Sequence, residues 1–291
     1  MALFDSNFLQ KLEYLSLVSR RVFRGELLAQ KRTKQLGGGI EFADHREYAP
    51  GDDFRHVDWN LYARHGELLL KRFQEEQDLH VYVLLDCSRS MSIGNPSKFD
   101  LARRIAAALA YIALADLDRV AIVAFANGVV ADFPLTRGKA RVLSLLEFLE
   151  QQTASGEATN LSDLVTAFVH RTQRPGLAIV VSDFFDPQGY QSAIDKLRHH
   201  QFEPRLVQVH DATEADPQLL GDVELLDVES NELRKLTVTE RNLAQYRQAF
   251  ADFLASIRTY CGRYGLHETI ARTDEPFDEL ILGMMRLHGP A

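Results

Sequence analysis

Apolar positions along this chain follow three rhythms. Near the N-terminus Phe8, Leu12, Leu15, Val18 and Val22 recur at spacings of three and four, which predicts an amphipathic helix capped by Asp5 or Ser6. That pattern fades near Thr33 and meets Gly37-Gly38-Gly39, a flexible stop or a tight backbone approach. Residues 41–72 are densely polar, with Arg46, Asp52, Asp53, Arg55, the only Trp (Trp59) and Arg64, before residues 68–73 read as a strand. From residue 80 the rhythm becomes an alternation of apolar runs and helical stripes. Strands are predicted at 80–86, 119–126, 129–135, 177–182, 205–210 and 266–272, and the first is apolar throughout, as when both faces of a sheet are covered. Helices are predicted at 98–117, 139–152, 161–172, 188–200, 240–264 and 277–287. Segments 222–229 and 235–239 bracket Ser230-Asn231-Glu232 and read as a β-hairpin.

Strands separated by helices imply right-handed βαβ units, so the expected fold class is α/β with a doubly wound, mostly parallel sheet. The expected organisation is an N-terminal helix and β-rich extension over 1–77, packed on a body over 78–291 into which the hairpin 222–239 is set. Composition changes little. At 46% hydrophobic and 25% charged residues the chain can bury a large core, which excludes intrinsic disorder. No apolar run approaches the ~20 residues of a membrane span, and residues 1–24 lack the pattern of a signal peptide. Two cysteines, Cys87 and Cys261, are too few for a disulfide scaffold or a cysteine zinc site, so a reducing, cytoplasmic setting is expected.

Net charge is -8, which argues against nucleic-acid binding by bulk electrostatics. Residues 11–35 nevertheless carry +5 and the remainder -13. The basic stretch reads as the solvated face of a helix whose apolar stripe meets the core.

In open α/β sheets ligands bind beyond the carboxyl ends of strands, where strand order reverses. Three features fall at such positions: Asp86-Cys87-Ser88-Arg89-Ser90, Ser182-Asp183-Phe184, and Ala158-Thr159-Asn160 ahead of a helix. Together they offer two carboxylates and three hydroxyls, hard oxygen donors suited to Mg2+, with Mn2+ or Ca2+ as alternatives.

Asp86-x-Ser88-x-Ser90, with Thr159 and Asp183 downstream, resembles the metal-ion-dependent adhesion site (MIDAS) of von Willebrand factor type A domains. The resemblance implies Mg2+ held by Asp86, Ser88, Ser90, Thr159 and Asp183, with one position open for an acidic residue of a protein client. Ala158 departs from the family, where a glycine often precedes the threonine. The stretch Gly37-Gly38-Gly39-Ile40-Glu41-Phe42, then Arg46-Glu47-Tyr48-x-Pro50-Gly51-Asp52-Asp53-x-Arg55-x-x-Asp58-Trp59 and Ala63-Arg64, resembles the signature of domain-of-unknown-function family 58 (DUF58). Members of that family are type A-like proteins associated with MoxR-type AAA+ ATPases. The resemblance therefore implies such an ATPase as partner, in chaperone-like remodelling or assembly of a client.

Against enzymatic activity, Ser88 and Ser90 lack a Gly-x-Ser-x-Gly elbow, and neither a dinucleotide fingerprint nor a Walker lysine is present. The expectation is an interaction module and not an enzyme. The alternatives are a hydrolase or phosphatase using Asp86 or Ser88, and a scaffold whose metal site is vestigial. Cys87 is expected to pack inward, Arg89 to point outward toward a partner's carboxylate or solvent, and His199, His200 and His210 to lie on the surface. Arg46, Arg55 and Arg64 are expected either to pair with Asp53, Asp58 or Glu47 in a structural network or to dock a partner.

Overall fold

A computed structural model describes residues 3–18, 36–37, 41–74, 79–156, 160–228 and 233–286. It divides into two compact units, one of residues 1–19 with 79–287 and one of residues 20–78 with 288–291.

The larger unit is built on a six-stranded sheet: β4 (His80–Asp86), β5 (Arg119–Ala126), β6 (Gly128–Arg137), β7 (Leu177–Ser182), β8 (Glu203–His210) and β11 (His267–Arg272). Their order across the sheet is β11-β8-β7-β4-β5-β6. All neighbours pair in parallel except β6, which returns antiparallel on β5. Numbered by chain order within this sheet, that is the 3-2-1-4-5-6 arrangement of doubly wound folds, and its reversal lies between β4 and β7. Every residue of β4 is buried, so its apolar run is the mark of a central strand covered on both faces.

Side chains alternate across β4. Tyr82 and Leu84 enter a cluster with Val180, Phe168, Leu197, Phe202, Ile257 and Cys261. Helix α3 (Lys98–Ala115) packs against β4 and β5, and Ala102, Ala106, Ala107 and Ala108 on it have no exposed surface. Small residues there let helix and sheet approach closely. Ser97 starts α3 by accepting a hydrogen bond from the Asp100 N–H at 3.1 Å. The sheet is further flanked by α4 (Val142–Gln151), α5 (Leu161–Arg171), α6 (Gln191–His199), the short α7 (Ala212–Ala215), α8 (Glu240–Tyr264) and α9 (Phe277–Arg286). Arg103 of α3 donates to the carbonyls of Leu149, Glu150 and Gln152, so it satisfies the acceptors at the end of α4. The helix over residues 6–18, α1, belongs to this unit: Lys11 Nζ lies 2.8 Å from Asp278 Oδ1, and Phe8 packs on Phe277. The hairpin strands β9 (Gly221–Leu226) and β10 (Leu233–Val238) form their own two-stranded sheet. Its tip, Ser230-Asn231-Glu232, falls outside the described residues.

The smaller unit holds an antiparallel sheet of β1 (Leu36–Gly37), β3 (Leu69–Gln74) and β2 (Glu41–Glu47), with helix α2 (Trp59–His65). The sheet agrees with the β-rich extension expected from the sequence, but β2 and α2 are not individually marked there, because neither carries an apolar rhythm. Asp58 makes α2 by accepting from the N–H groups of Asn60 and Leu61, and Gly66 ends it in the left-handed region at φ 75°. The basic stretch 19–35 and the glycines 38–39 fall outside the described residues.

Among the described residues, no helix is long and apolar enough to cross a membrane.

Candidate functional site

Asp86 ends β4 and Asp183 follows β7, so the reversal of strand order brings both carboxylates to one edge of the sheet, each with no exposed surface. Asp86 Oδ1 accepts from the Ser88 N–H at 2.9 Å, and Oδ2 accepts from the Ser182 hydroxyl at 2.5 Å. The Ser88 and Ser90 hydroxyls are hydrogen-bonded to each other at 3.0 Å, and both side chains are buried. The loop carrying them is pinned by the Cys87 N–H to Phe125 carbonyl bond and by a bridge between Ser88 and Gly156. Gly156 has to be glycine, because a Cβ there would overlap the Ala126 methyl.

Asp183 sits in a sharp turn. Phe184 adopts φ +60°, a conformation uncommon for a bulky residue, and its N–H donates to the Ser182 hydroxyl at 2.9 Å. Asp183 Oδ1 accepts from the Phe185 N–H at 3.1 Å. Oδ2 accepts from Lys98 Nζ at 2.8 Å, and the same ammonium reaches Glu214 Oε1 at 2.6 Å. Lys98 is fully buried and lies 5.4 Å from the Phe185 ring centroid. Glu214 uses its other oxygen to accept the Asp211 N–H at 2.9 Å in the capping box of α7. Asp211 in turn accepts from the Thr273 hydroxyl at 2.6 Å. One buried polar chain therefore runs from Asp183 through Lys98 and Glu214 to the end of β11.

Electrostatics follow from this burial. Loss of solvent, then the nearby Asp183 charge, push the Asp86 carboxyl up to about 7 against the Ser182 and Ser88 hydrogen bonds. Burial works against the Lys98 ammonium, yet Asp183 and Glu214 outweigh it and its pKa is raised. Burial pushes the Cys87 thiol up to about 12, so it is an inert, inward-packed group, as its sequence position suggests. His210 corrects the surface expectation. It is 2% exposed, bonded to Gln208 at 2.9 Å, and held down to about 4 by burial and then by Arg272 and Lys98. It ends β8, which β7 and β11 cover on both sides, whereas His199 and His200 at the end of α6 are exposed.

Of the five residues expected at a metal, Asp86, Ser88, Ser90 and Asp183 lie at the switch point. Thr159 falls outside the described residues, although Asn160 beside it caps α5 through the Asp163 N–H. Among the described residues, no three His, Cys, Asp or Glu side chains gather as a metal centre. The set here is two carboxylates and two hydroxyls, all hard oxygens, and that chemistry fits a small divalent ion that keeps several waters. Charge balance fits as well, since three carboxylates, Asp183, Glu214 and Asp211, act on the Lys98 ammonium.

Of the three arginines of the smaller unit, Arg55 takes an expected partner and Arg46 does not. Arg46 pairs with Asp52, its Nη2 2.6 Å from Oδ1, and Asp52 also accepts from the Ala49 N–H. Arg55 pairs with Asp53. Asp58 instead takes His45 at 3.1 Å and Lys71 at 3.3 Å, while Arg64 is exposed at the end of α2. Arg89 lies in the 3-10 turn Arg89–Ser92, and its N–H donates to the Gly156 carbonyl at 2.9 Å.

Lys98 and Glu214 are the members of the site that sequence reasoning passes over. A signal for Lys98 exists, because a cation at the first position of a helix opposes the helix dipole and needs nearby carboxylates. For Glu214 the signal is the capping-box spacing Asp211-x-x-Glu214.

A family model described as "Protein of unknown function DUF58" matches residues 44–259. The chain is 24% identical over 276 residues to uncharacterized protein Rv1480 of Mycobacterium tuberculosis (strain ATCC 25618 / H37Rv), covering 93% of this chain and 86% of that protein. Uncharacterized protein Mb1516 of Mycobacterium bovis is similar to the same extent. Among solved structures, BatB from Bacteroides thetaiotaomicron overlays with TM-score 0.44 at 16% identity, over 72% of this chain and 99% of that one. An aerotolerance-related membrane protein from Bacteroides fragilis overlays with TM-score 0.46 at 15% identity, over 72% of this chain and 98% of that one.

Proposed function

The chain belongs to the DUF58 family, and from its β4–β7 switch point we propose that it is a metal-dependent protein-interaction module and not an enzyme. The observation that carries this reading is the convergence of Asp86, Ser88, Ser90 and Asp183, buried and mutually hydrogen-bonded or electrostatically coupled, where strand order reverses. Strand order with an antiparallel third strand supports a von Willebrand factor A-like body.

Mg2+ would be held by the Ser88 and Ser90 hydroxyls with Asp86, Asp183 and Thr159, and when bound it supplies a Lewis-acidic position for a carboxylate of a client. The chain's own groups do the remaining work. Ser182 and the Ser88 N–H fix the Asp86 carboxyl, the Phe185 N–H and Lys98 fix Asp183, and Gly156 holds the serine loop against β5. A MoxR-type AAA+ ATPase is the proposed collaborator, as the resemblance of the signature over residues 37–64 implies, with any nucleotide chemistry residing in that partner.

The test is capture of a MoxR-type ATPase or its client by the purified chain in Mg2+ and in EDTA. Capture that needs Mg2+ and is lost in Asp86→Ala supports the proposal. Capture indifferent to EDTA and to Asp86→Ala overturns it in favour of a scaffold.

A further inference from the structure

Lys98 is among the largest fully buried side chains of the described residues, and it is a charged one. Its ammonium is shared between Asp183, which belongs to the proposed metal site, and Glu214, which does not. Asp183 is fully buried beside the equally buried Asp86, so its carboxylate needs a positive charge next to it whenever no divalent ion is there. Lys98 is that charge. Glu214 is in turn fixed by the Asp211 N–H, and the Phe185 ring stands over the ammonium, so the lysine is locked in place with little room for water.

From this juxtaposition we infer that Lys98 is the internal counter-charge of the site, a positioning residue that keeps Asp183 in place without metal and weakens divalent-ion binding by competing for the same carboxylate. The inference rests on the metal-site reading above. A divalent ion at the serines adds a second cation beside a buried ammonium in surroundings that screen it poorly, so each weakens the hold of the other. Glu214 moderates the competition, because it gives the ammonium a second carboxylate that is not among the proposed ligands. The consequence is a site whose metal exchanges readily, as a contact that is made and released requires.

The experiment is calorimetric titration of Mn2+ into the full chain, wild type, Lys98→Met and Glu214→Gln, with near-ultraviolet circular dichroism to confirm folding and thermal melts with and without Mn2+. Lys98→Met is expected to bind Mn2+ about tenfold or more tightly than wild type, and its melting temperature is expected to rise more on adding metal. Glu214→Gln is expected to bind more weakly, since it strips the ammonium of its other partner, and it keeps the inference open to test if Lys98→Met does not fold. A merely structural lysine would leave affinity unchanged or lower it on removal. Mn2+ binding by wild type with equal or weaker binding by folded Lys98→Met overturns this inference alone, as does undiminished binding by Glu214→Gln. No binding by wild type or either variant overturns the metal reading and this inference together.

Discussion

Two sets of ion pairs in this protein have nearly the same geometry and opposite burial. In the smaller unit Arg46–Asp52 and Arg55–Asp53 close at 2.6 Å, with the arginine side chains 43% and 84% exposed. In the larger unit Lys98 closes on Asp183 at 2.8 Å and on Glu214 at 2.6 Å, with no lysine surface exposed. Distance alone would rank them equal. Water decides otherwise, because an exposed pair trades one hydration shell for another, while breaking a buried pair strands a charge in a poorly solvated interior. The exposed pairs shape a loop: Arg46 and Asp52 close the turn around Pro50-Gly51. The buried pairs hold the end of the sheet that carries the proposed site.

The contrast can be broken most forcefully at Lys98. Lys98→Ala leaves Asp183 and Glu214 without their ammonium and is expected to cost about 3–5 kcal/mol in chemical denaturation without metal; a cost near zero would show that the network contributes no stability. Next comes His210. Its folded pKa of about 4 lies below the ordinary histidine value. A base held neutral by the fold contributes stability that is complete above its unfolded pKa and is lost as pH falls toward the folded one. The account therefore expects a loss of roughly 3 kcal/mol between about pH 6.5 and 4 beyond that of His210→Gln, read from denaturation curves at several pH values. Identical pH profiles for wild type and variant would contradict the buried, neutral assignment. At the small end, Arg55→Ala is expected to leave the melting temperature within experimental scatter. A clear drop would mean that the exposed pairs matter more than their exposure allows.

Legibility in the sequence divides along the same line. Strands β4, β5 and β7 are readable because burial on both faces demands unbroken apolar runs, and Asp86 and Asp183 are readable because they interrupt such runs at strand ends. Strand β2 and helix α2 are not, since Glu-Phe-Ala-Asp-His-Arg-Glu and Trp-Asn-Leu-Tyr-Ala-Arg-His carry no periodic apolar face. Local caps and cross-strand bonds make them instead. The Lys98 network is hidden for another reason. Its partners lie 85 and 116 residues away, and only the meeting of α3, β7 and α7 brings them together. The expected surface position of His210 fails likewise, because burial at the end of a central strand depends on neighbours that arrive later in the chain.

The most direct measurement of the central claim is calorimetric titration of Mg2+ into the full chain and into Asp86→Ala at neutral pH. The account expects saturable heat with one ion per chain for wild type and none for the variant. Equal heats from the two proteins would contradict it.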